Sequence, residues 1–91
     1  MSYSVRFSKS AKEILTKWKK SNPKLFKKTS SILEELAEHP KTGIGHPEPL
    51  VGGNGITYSR RISANERIVY DIYEDCIQVI VLTIGGHYDD K

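Results

Sequence analysis

Apolar residues recur along this chain with two different periods, which predicts a protein with both strands and helices. Residues 3–7 alternate between apolar and polar side chains, as expected of a half-buried strand. A helix-spaced apolar stripe follows, and it predicts a first helix that begins at Ser8 or at Ser10 and ends near Ser21. The stripe consists of Ala11, Ile14, Leu15 and Trp18.

A second helix is predicted directly after the first. Asn22 can cap it and Pro23 suits the first helical position, because proline there loses no intrahelical hydrogen bond. The helix should continue to His39-Pro40, and its apolar stripe consists of Leu25, Phe26, Thr29, Ile32, Leu33 and Leu36. Residues 40–55 are rich in glycine and proline and poor in apolar side chains, so we predict a long loop there.

Three further strands are predicted in the second half of the chain. Residues 56–63, 67–73 and 77–84 are rich in β-branched and aromatic side chains, and short polar turns at 64–65 and 74–75 separate them. The order is therefore βααβββ. We predict an α+β fold with two N-terminal helices packed on one face of an antiparallel sheet, as a single domain over residues 1–91.

Composition narrows the class of protein. With 91 residues and 37% hydrophobic side chains, the chain can build one modest core. No apolar run approaches the roughly 18 residues of a membrane span, and the polar start is unlike a signal peptide, so we expect a cytoplasmic protein that is not in a membrane. The single cysteine, Cys76, cannot form an internal disulfide, and we interpret it as a strand or turn residue.

Positive charge is concentrated in the first third of the chain. Residues 1–30 carry a net charge of +8 and the remainder −5, although the whole chain is only +3. This asymmetry favours a surface that binds a polyanion, against the alternative of an ordinary solvated helix face. The candidate RNA contacts on the helices are Lys19, Lys20, Lys27 and Lys28.

Three side chains of complementary chemistry follow the helices. Glu48 lies between two prolines that restrict its backbone, Arg67 begins a predicted strand, and His87 follows a Gly-Gly pair. A carboxylate base, a guanidinium that stabilises the phosphorane and an imidazole acid suffice to cleave RNA through the 2′-OH. Tyr88 could stack on a base. The three residues also have simpler interpretations. Glu48 could be a solvated carboxylate, Arg67 could pair with Glu66 or Asp71, and His87 could have no catalytic role.

The segment before Arg67 holds further candidate RNA contacts, Tyr58, Arg60 and Arg61. Adjacent strand residues point to opposite faces, so we expect at most one of the two arginines to share a surface with Arg67 and the other to be a surface charge. His39, His46 and His87 show no metal-ligand spacing, and the chain has no phosphate-binding glycine motif. We therefore predict neither a metal site nor a cofactor.

Four motifs in this order resemble the YoeB toxins of the RelE superfamily, namely Pro47-Glu48-Pro49-Leu50, Tyr58-Ser59-Arg60-Arg61-Ile62, Glu66-Arg67-Ile68-Val69-Tyr70 and His87-Tyr88. The resemblance implies a RelE-like microbial RNase fold and a ribosome-dependent endoribonuclease that cuts mRNA in the A site to a 2′,3′-cyclic phosphate. It implies Glu48 as general base, Arg67 as phosphate stabiliser, His87 as general acid and Tyr88 as a positioning residue. It also implies a YefM-like antitoxin, operator DNA bound only through the antitoxin complex, and a homodimer.

This sequence departs from the family pattern at three places. Val51 replaces a lysine that members often carry, Tyr58 replaces a tryptophan, and the chain continues past His87-Tyr88 with residues 89–91. Two other classes stay open at this point: a toxin without nuclease activity, such as the ParE-like gyrase poisons, and a basic binding or corepressor module. Retention of Glu48, Arg67 and His87 favours the nuclease.

Overall fold

A computed structural model describes residues 2–43, 45, 47–50 and 56–86 of the chain. Its strands and helices, in chain order, are β1 (Ser4–Phe7), α1 (Lys9–Ser21), α2 (Pro23–Glu38), β2 (Glu48–Pro49), β3 (Thr57–Arg61), β4 (Glu66–Tyr73) and β5 (Gln78–Gly86). The predicted helices and strands are confirmed, with strand ends that shift by one or two residues. Short β2 was missed, because it lies inside the segment predicted to be a loop.

The helix starts follow the capping chemistry of the sequence. Ser8, and not Ser10, caps α1, and its side-chain oxygen accepts a hydrogen bond from the amide of Ala11. Asn22 caps α2 with its side chain on the amide of Leu25, and Pro23 takes the first helical position as predicted. The helices pack on the same face of the sheet, where they bury Ala11, Trp18, Ile32 and Leu36 against Ile62, Ile68, Tyr70, Ile72, Val79, Val81 and Ile84.

The sheet is mixed and not wholly antiparallel, which corrects the prediction. Its strand order is β1-β5-β4-β3-β2, and β1 pairs in parallel with β5 while the other pairs are antiparallel. Successive side chains point to opposite faces in parallel and antiparallel strands alike, so the alternation at residues 3–7 carried no information about direction. β2 is an edge strand, and this position tolerates its proline.

An irregularity in β5 links the sheet to the first helix. The register with β4 shifts between Val69 and Tyr70, which leaves Leu82 without a partner in β4. The hydroxyl of Ser8 donates to the Leu82 carbonyl over 2.6 Å, so the cap of α1 also holds the bulge. Beyond the bulge, Gly85 lies opposite Arg67.

One charged side chain is completely buried between α2 and the sheet. Arg60 has 0% exposure, and its Nη1 lies 2.6 Å from the Oε1 of Glu35 on α2. Its Nε donates to the hydroxyl of Tyr70 over 3.1 Å. Arg60 therefore cannot contact RNA in this structure and is not a surface charge, which corrects both expectations. Tyr58 and Ile62, two residues before and after Arg60, project to the same face of the sheet and are apolar. This was the sequence signal that Arg60 belongs to the buried face.

No helix in the described part of the chain has the length and apolar character needed to cross a membrane.

Loss of the carboxylate opposite Arg60 should destabilise the fold strongly, because a buried guanidinium would lose its ionic partner. We expect Glu35→Ala to lower the free energy of unfolding by about 3 kcal/mol, the low end for a broken buried pair, since the Glu35 side chain is 29% exposed. Urea denaturation followed by the fluorescence of Trp18, the single tryptophan, measures this.

The matched control for this experiment is Glu34→Ala. Glu34 is the preceding residue of α2, carries the same charge and is exposed, so its replacement should change the unfolding free energy by less than about 0.5 kcal/mol. Equal losses of unfolding free energy in the two variants would show that the Arg60–Glu35 pair stabilises the fold no more than an exposed glutamate does.

Candidate functional site

A groove at the edge of the sheet brings together residues from three strands. Gly45, Glu48, Arg61 and Arg67 line it, and its volume is about 310 Å³. Glu48 comes from β2, Arg61 from β3 and Arg67 from β4. The groove therefore joins two of the sequence-predicted catalytic residues, Glu48 and Arg67, with one predicted RNA contact, Arg61.

The strand register explains why Arg61 and not Arg60 reaches this groove. Arg61 is the direct partner of Arg67 across β3 and β4, and Arg60 is the partner of buried Ile68. Neighbouring residues of a strand project to opposite faces, so burial of Arg60 directs Arg61 to the face away from the helices. The prediction that at most one of the two arginines shares a surface with Arg67 is confirmed.

Glu48 is held by the pairing of a very short strand. Glu48 lies opposite Ser59 and Pro49 opposite Tyr58, and the amide of Leu50 donates to the carbonyl of Thr57 over 3.0 Å. Both Glu48 and Pro49 are exposed, as expected at the edge of a sheet. The sequence predicted that the prolines restrict Glu48; the structure adds strand pairing as a second restraint.

The groove combines two cations with one anion. Within the described residues, neither the guanidinium groups of Arg61 and Arg67 nor the carboxylate of Glu48 form an ion pair. Like charges directly opposite on neighbouring strands destabilise a sheet, and a bound anion would relieve this repulsion. Two guanidinium groups close together are well matched to the oxygens of a phosphate.

Gly45 is a site residue that the sequence analysis missed. Its carbonyl accepts a hydrogen bond from the amide of Arg61 over 2.7 Å. Its φ is +84°, and a Cβ at this position would lie 2.5 Å from the carbonyl oxygen of Arg61. Glycine is therefore required both for the backbone conformation and for the close approach to β3. Its one sequence signal was a glycine shortly before the Pro-Glu-Pro motif.

Several predicted site residues lie outside the described residues. These are His87 and Tyr88, together with His46, Val51 and the tail 89–91. The described chain ends at Gly86, which pairs with Glu66, and the preceding Gly85 pairs with Arg67. His87 thus follows in sequence a strand end that lies beside the groove arginine.

The structure does not bring the other predicted RNA contacts to the groove. Tyr58 is on the face of Arg60, and its ring stacks on Tyr70 with centroids 6.2 Å apart. This placement does not support Tyr58 as an RNA contact beside the groove arginines. The exposed lysines on the helices, Lys19, Lys20, Lys27 and Lys28, lie across the sheet from the groove.

The described residues contain no group of three or more histidine, cysteine, aspartate or glutamate side chains that could hold a metal ion.

Comparison with known proteins gives one consistent relationship. Residues 7–88 match the family model of the YoeB-like toxin of bacterial type II toxin-antitoxin systems. A relative, Toxin YoeB of Streptomyces coelicolor, is 31% identical over 84 residues, which covers 92% of this chain and 98% of the relative.

Solved structures agree with the sequence relatives. The fold is similar to the YoeB dimer from Staphylococcus aureus, with a TM-score of 0.82, 28% identity and coverage of 94% of this chain and 98% of that one. It is also similar to the YoeB-YefM complex from Staphylococcus aureus, with a TM-score of 0.79, 29% identity and the same two coverages, 94% and 98%.

Removal of one groove arginine should stabilise the free protein. We expect Arg61→Gln to raise the urea midpoint at low ionic strength, because it removes the repulsion between Arg61 and its strand partner Arg67. The gain should shrink at about 0.5 M salt, where charges are screened within a few ångströms. Parallel urea titrations at the two salt concentrations measure both effects.

The control is Arg6→Gln, which removes an exposed arginine that is paired with Ile80 and lies outside the groove. It should leave the salt dependence of the midpoint as in the wild type. A midpoint of Arg61→Gln that equals the wild type at low salt would contradict the proposed repulsion.

Proposed function

Since the chain belongs to the YoeB-like toxins of bacterial type II toxin-antitoxin systems, we propose that it is an endoribonuclease that cleaves mRNA in the A site of translating ribosomes. The observation that carries this proposal is the groove lined by one glutamate and two arginines. A gyrase poison or a simple binding module has no need of this set. Action on ribosomes would place the toxin in the cytoplasm.

The proposed reaction needs a general base, a cation that stabilises the phosphorane and a general acid. Glu48 removes the proton of the ribose 2′-OH, whose oxygen attacks the adjacent phosphorus. Arg67, with Arg61 opposite, stabilises the negative charge of the phosphorane. His87 donates a proton to the departing 5′ oxygen, and the products are a 2′,3′-cyclic phosphate and a free 5′-OH. No metal or cofactor takes part in these steps.

The exposure of Glu48 matters for its role as a base. Water in contact with a carboxylate stabilises its ionised form and so weakens it as a base. RNA that covers the groove would exclude water from the carboxylate and raise its basicity. Tyr88 would help to hold the RNA in this covered position. We therefore propose that the substrate completes the active site.

The partners follow from the relatives. The Staphylococcus aureus YoeB is found with YefM and as a dimer. We propose that this chain is held inactive by a YefM-like antitoxin, forms a homodimer, and meets operator DNA only through the antitoxin complex. An acidic, partly disordered antitoxin segment would be attracted by the basic helices and by the groove arginines.

Mapping of mRNA 5′ ends tests the nuclease. After brief induction, primer extension should show new ends with the wild type, and these should disappear when translation is blocked by an inhibitor. Glu48→Gln and His87→Gln should give no new ends, because each removes a proton-transfer group. Growth arrest without any new ends would favour the non-nuclease toxin instead.

The matched control for Glu48→Gln is Glu34→Gln, an exposed glutamate on α2 that lies away from the groove. It should cleave like the wild type. If Glu48→Gln also cleaves like the wild type, Glu48 is not the base.

The shape of the Arg67 side chain should matter as much as its charge. We expect Arg67→Lys to lower the cleavage rate by at least about tenfold, because lysine cannot donate two parallel hydrogen bonds to one phosphate. Single-turnover cleavage on programmed ribosomes measures the rate, with Arg6→Lys as control. Near-normal cleavage by Arg67→Lys would remove the bidentate contact from the mechanism.

A further inference from the structure

The segment that connects α2 to β2 is fastened to the buried face of the sheet by two side chains. Nη2 of Arg60 donates to the carbonyl oxygens of Thr42, over 2.8 Å, and of His39. The hydroxyl of Tyr70 donates to the carbonyl of Pro40 over 2.7 Å. Three backbone carbonyls of residues 39–42 are therefore bound by side chains from β3 and β4.

Arg60 is itself fixed in three directions. Its Nη1 is held by Glu35 over 2.6 Å and its Nε donates to Tyr70 over 3.1 Å, which leaves Nη2 for the connecting segment. The guanidinium group is planar, so fixing two of its nitrogens also sets the direction of the third. Arg60 and Tyr70 are both fully buried, and the hydrogen bonds from Arg60 to Tyr70 and from Tyr70 to Pro40 lie out of contact with water.

The fastened segment leads directly to the groove. Three residues after Thr42, the carbonyl of Gly45 accepts the amide of Arg61 over 2.7 Å, and Glu48 then pairs with Ser59. Two adjacent residues of β3 thus bind the segment that connects α2 to β2. The side chain of Arg60 binds its start, and the backbone amide of Arg61 binds it further along, at Gly45.

β2 has little of its own to hold it in place. It is two residues long, both of its residues are exposed, and prolines at positions 47 and 49 provide no amide for the ladder. A short edge strand with few contacts opens at low free-energy cost unless the chain leading to it is fixed.

We infer that Arg60 and Tyr70 are positioning residues: by fastening residues 39–42 they set where the Glu48 carboxylate stands relative to Arg61 and Arg67. The catalytic consequence rests on the proposed nuclease function, and the structural part does not. Neither side chain lines the groove, so both act through the backbone of the connecting segment.

Amide hydrogen exchange tests the structural part without any activity. Tyr70→Phe removes one buried hydroxyl and keeps the ring that packs in the core. It should speed exchange of the Arg61 and Leu50 amides by at least about tenfold, the ratio that corresponds to one lost hydrogen bond. The amide of Ile62, which donates to Glu66 within the β3–β4 hairpin, should be unchanged.

The matched control is Tyr73→Phe. Tyr73 lies on the same strand, but its hydroxyl donates to Asp71 and does not reach the connecting segment. It pairs with Gln78, about 20 Å along β4 from Arg67. All three reporter amides should therefore exchange as in the wild type.

The kinetic part uses cleavage of mRNA on programmed ribosomes. Tyr70→Phe should lower kcat between about tenfold and about a hundredfold, since small misplacement of a catalytic group is costly. KM should stay within about twofold, because Arg61, Arg67 and the basic helices are retained. A merely structural role would lower the amount of folded protein without this division between kcat and KM.

Arg60→Lys is the second variant, and it tests the inference if Tyr70→Phe does not fold. It keeps a positive charge opposite Glu35 but lacks the planar fork that reaches several carbonyls at once. We expect the same faster exchange at Arg61 and Leu50 and the same loss in kcat.

The outcomes separate this inference from the proposed function. Unchanged exchange at Arg61 and Leu50 in a folded variant overturns the inference, even if the wild type cleaves RNA. Faster exchange with normal kcat overturns the catalytic consequence. A wild type that does not cleave RNA overturns the proposed function, and the exchange rates still decide whether Arg60 and Tyr70 fasten the connection.

Discussion

The rest of this structure depends on the ion pair and hydrogen bonds of one buried group, the guanidinium of Arg60. A charge without access to water is tolerable only when an opposite charge and enough acceptors surround it. Glu35 provides the charge, and the hydroxyl of Tyr70 and the carbonyls of the connecting segment provide the acceptors. One side chain thus ties α2, two strands and the approach to β2 into a unit. The core alone, built mostly from apolar side chains, would not specify where the connection runs.

Tyr70 completes this arrangement because it stays protonated. Burial raises the pKa of its hydroxyl above the usual value of 10.0, and the neighbouring Arg60 offsets part of that rise. The neutral phenol is the form that can donate to the Pro40 carbonyl while it accepts from Arg60. A folded pKa above the unfolded one means that this contribution to stability is complete below pH 10 and is lost as the pH rises through the folded pKa.

Sequence patterns predicted the helices and strands well and the long-range geometry less well. The Asn22-Pro23 pair and the apolar stripes are local signals, so both helices could be located from them. The direction of β1 and the bulge at Leu82 depend on pairing between distant segments, for which alternation carries no information. Alternation also placed Arg60 and Arg61 on opposite faces without choosing the buried one. The apolar neighbours Tyr58 and Ile62 would have supplied that choice.

The two positively charged surfaces of the molecule imply something about the size of what it binds. The groove arginines and the helical lysines lie on opposite sides of the sheet, in a molecule whose extents are 37 × 31 × 24 Å. Nucleotides bound in the groove therefore lie on the other side of the sheet from the helices. If the helical lysines also bind RNA, as their charge predicts, they contact RNA other than the cleaved segment. A large RNA assembly that surrounds the mRNA meets this requirement, whereas a short free RNA does not, and this charge distribution fits the proposed action on the ribosome.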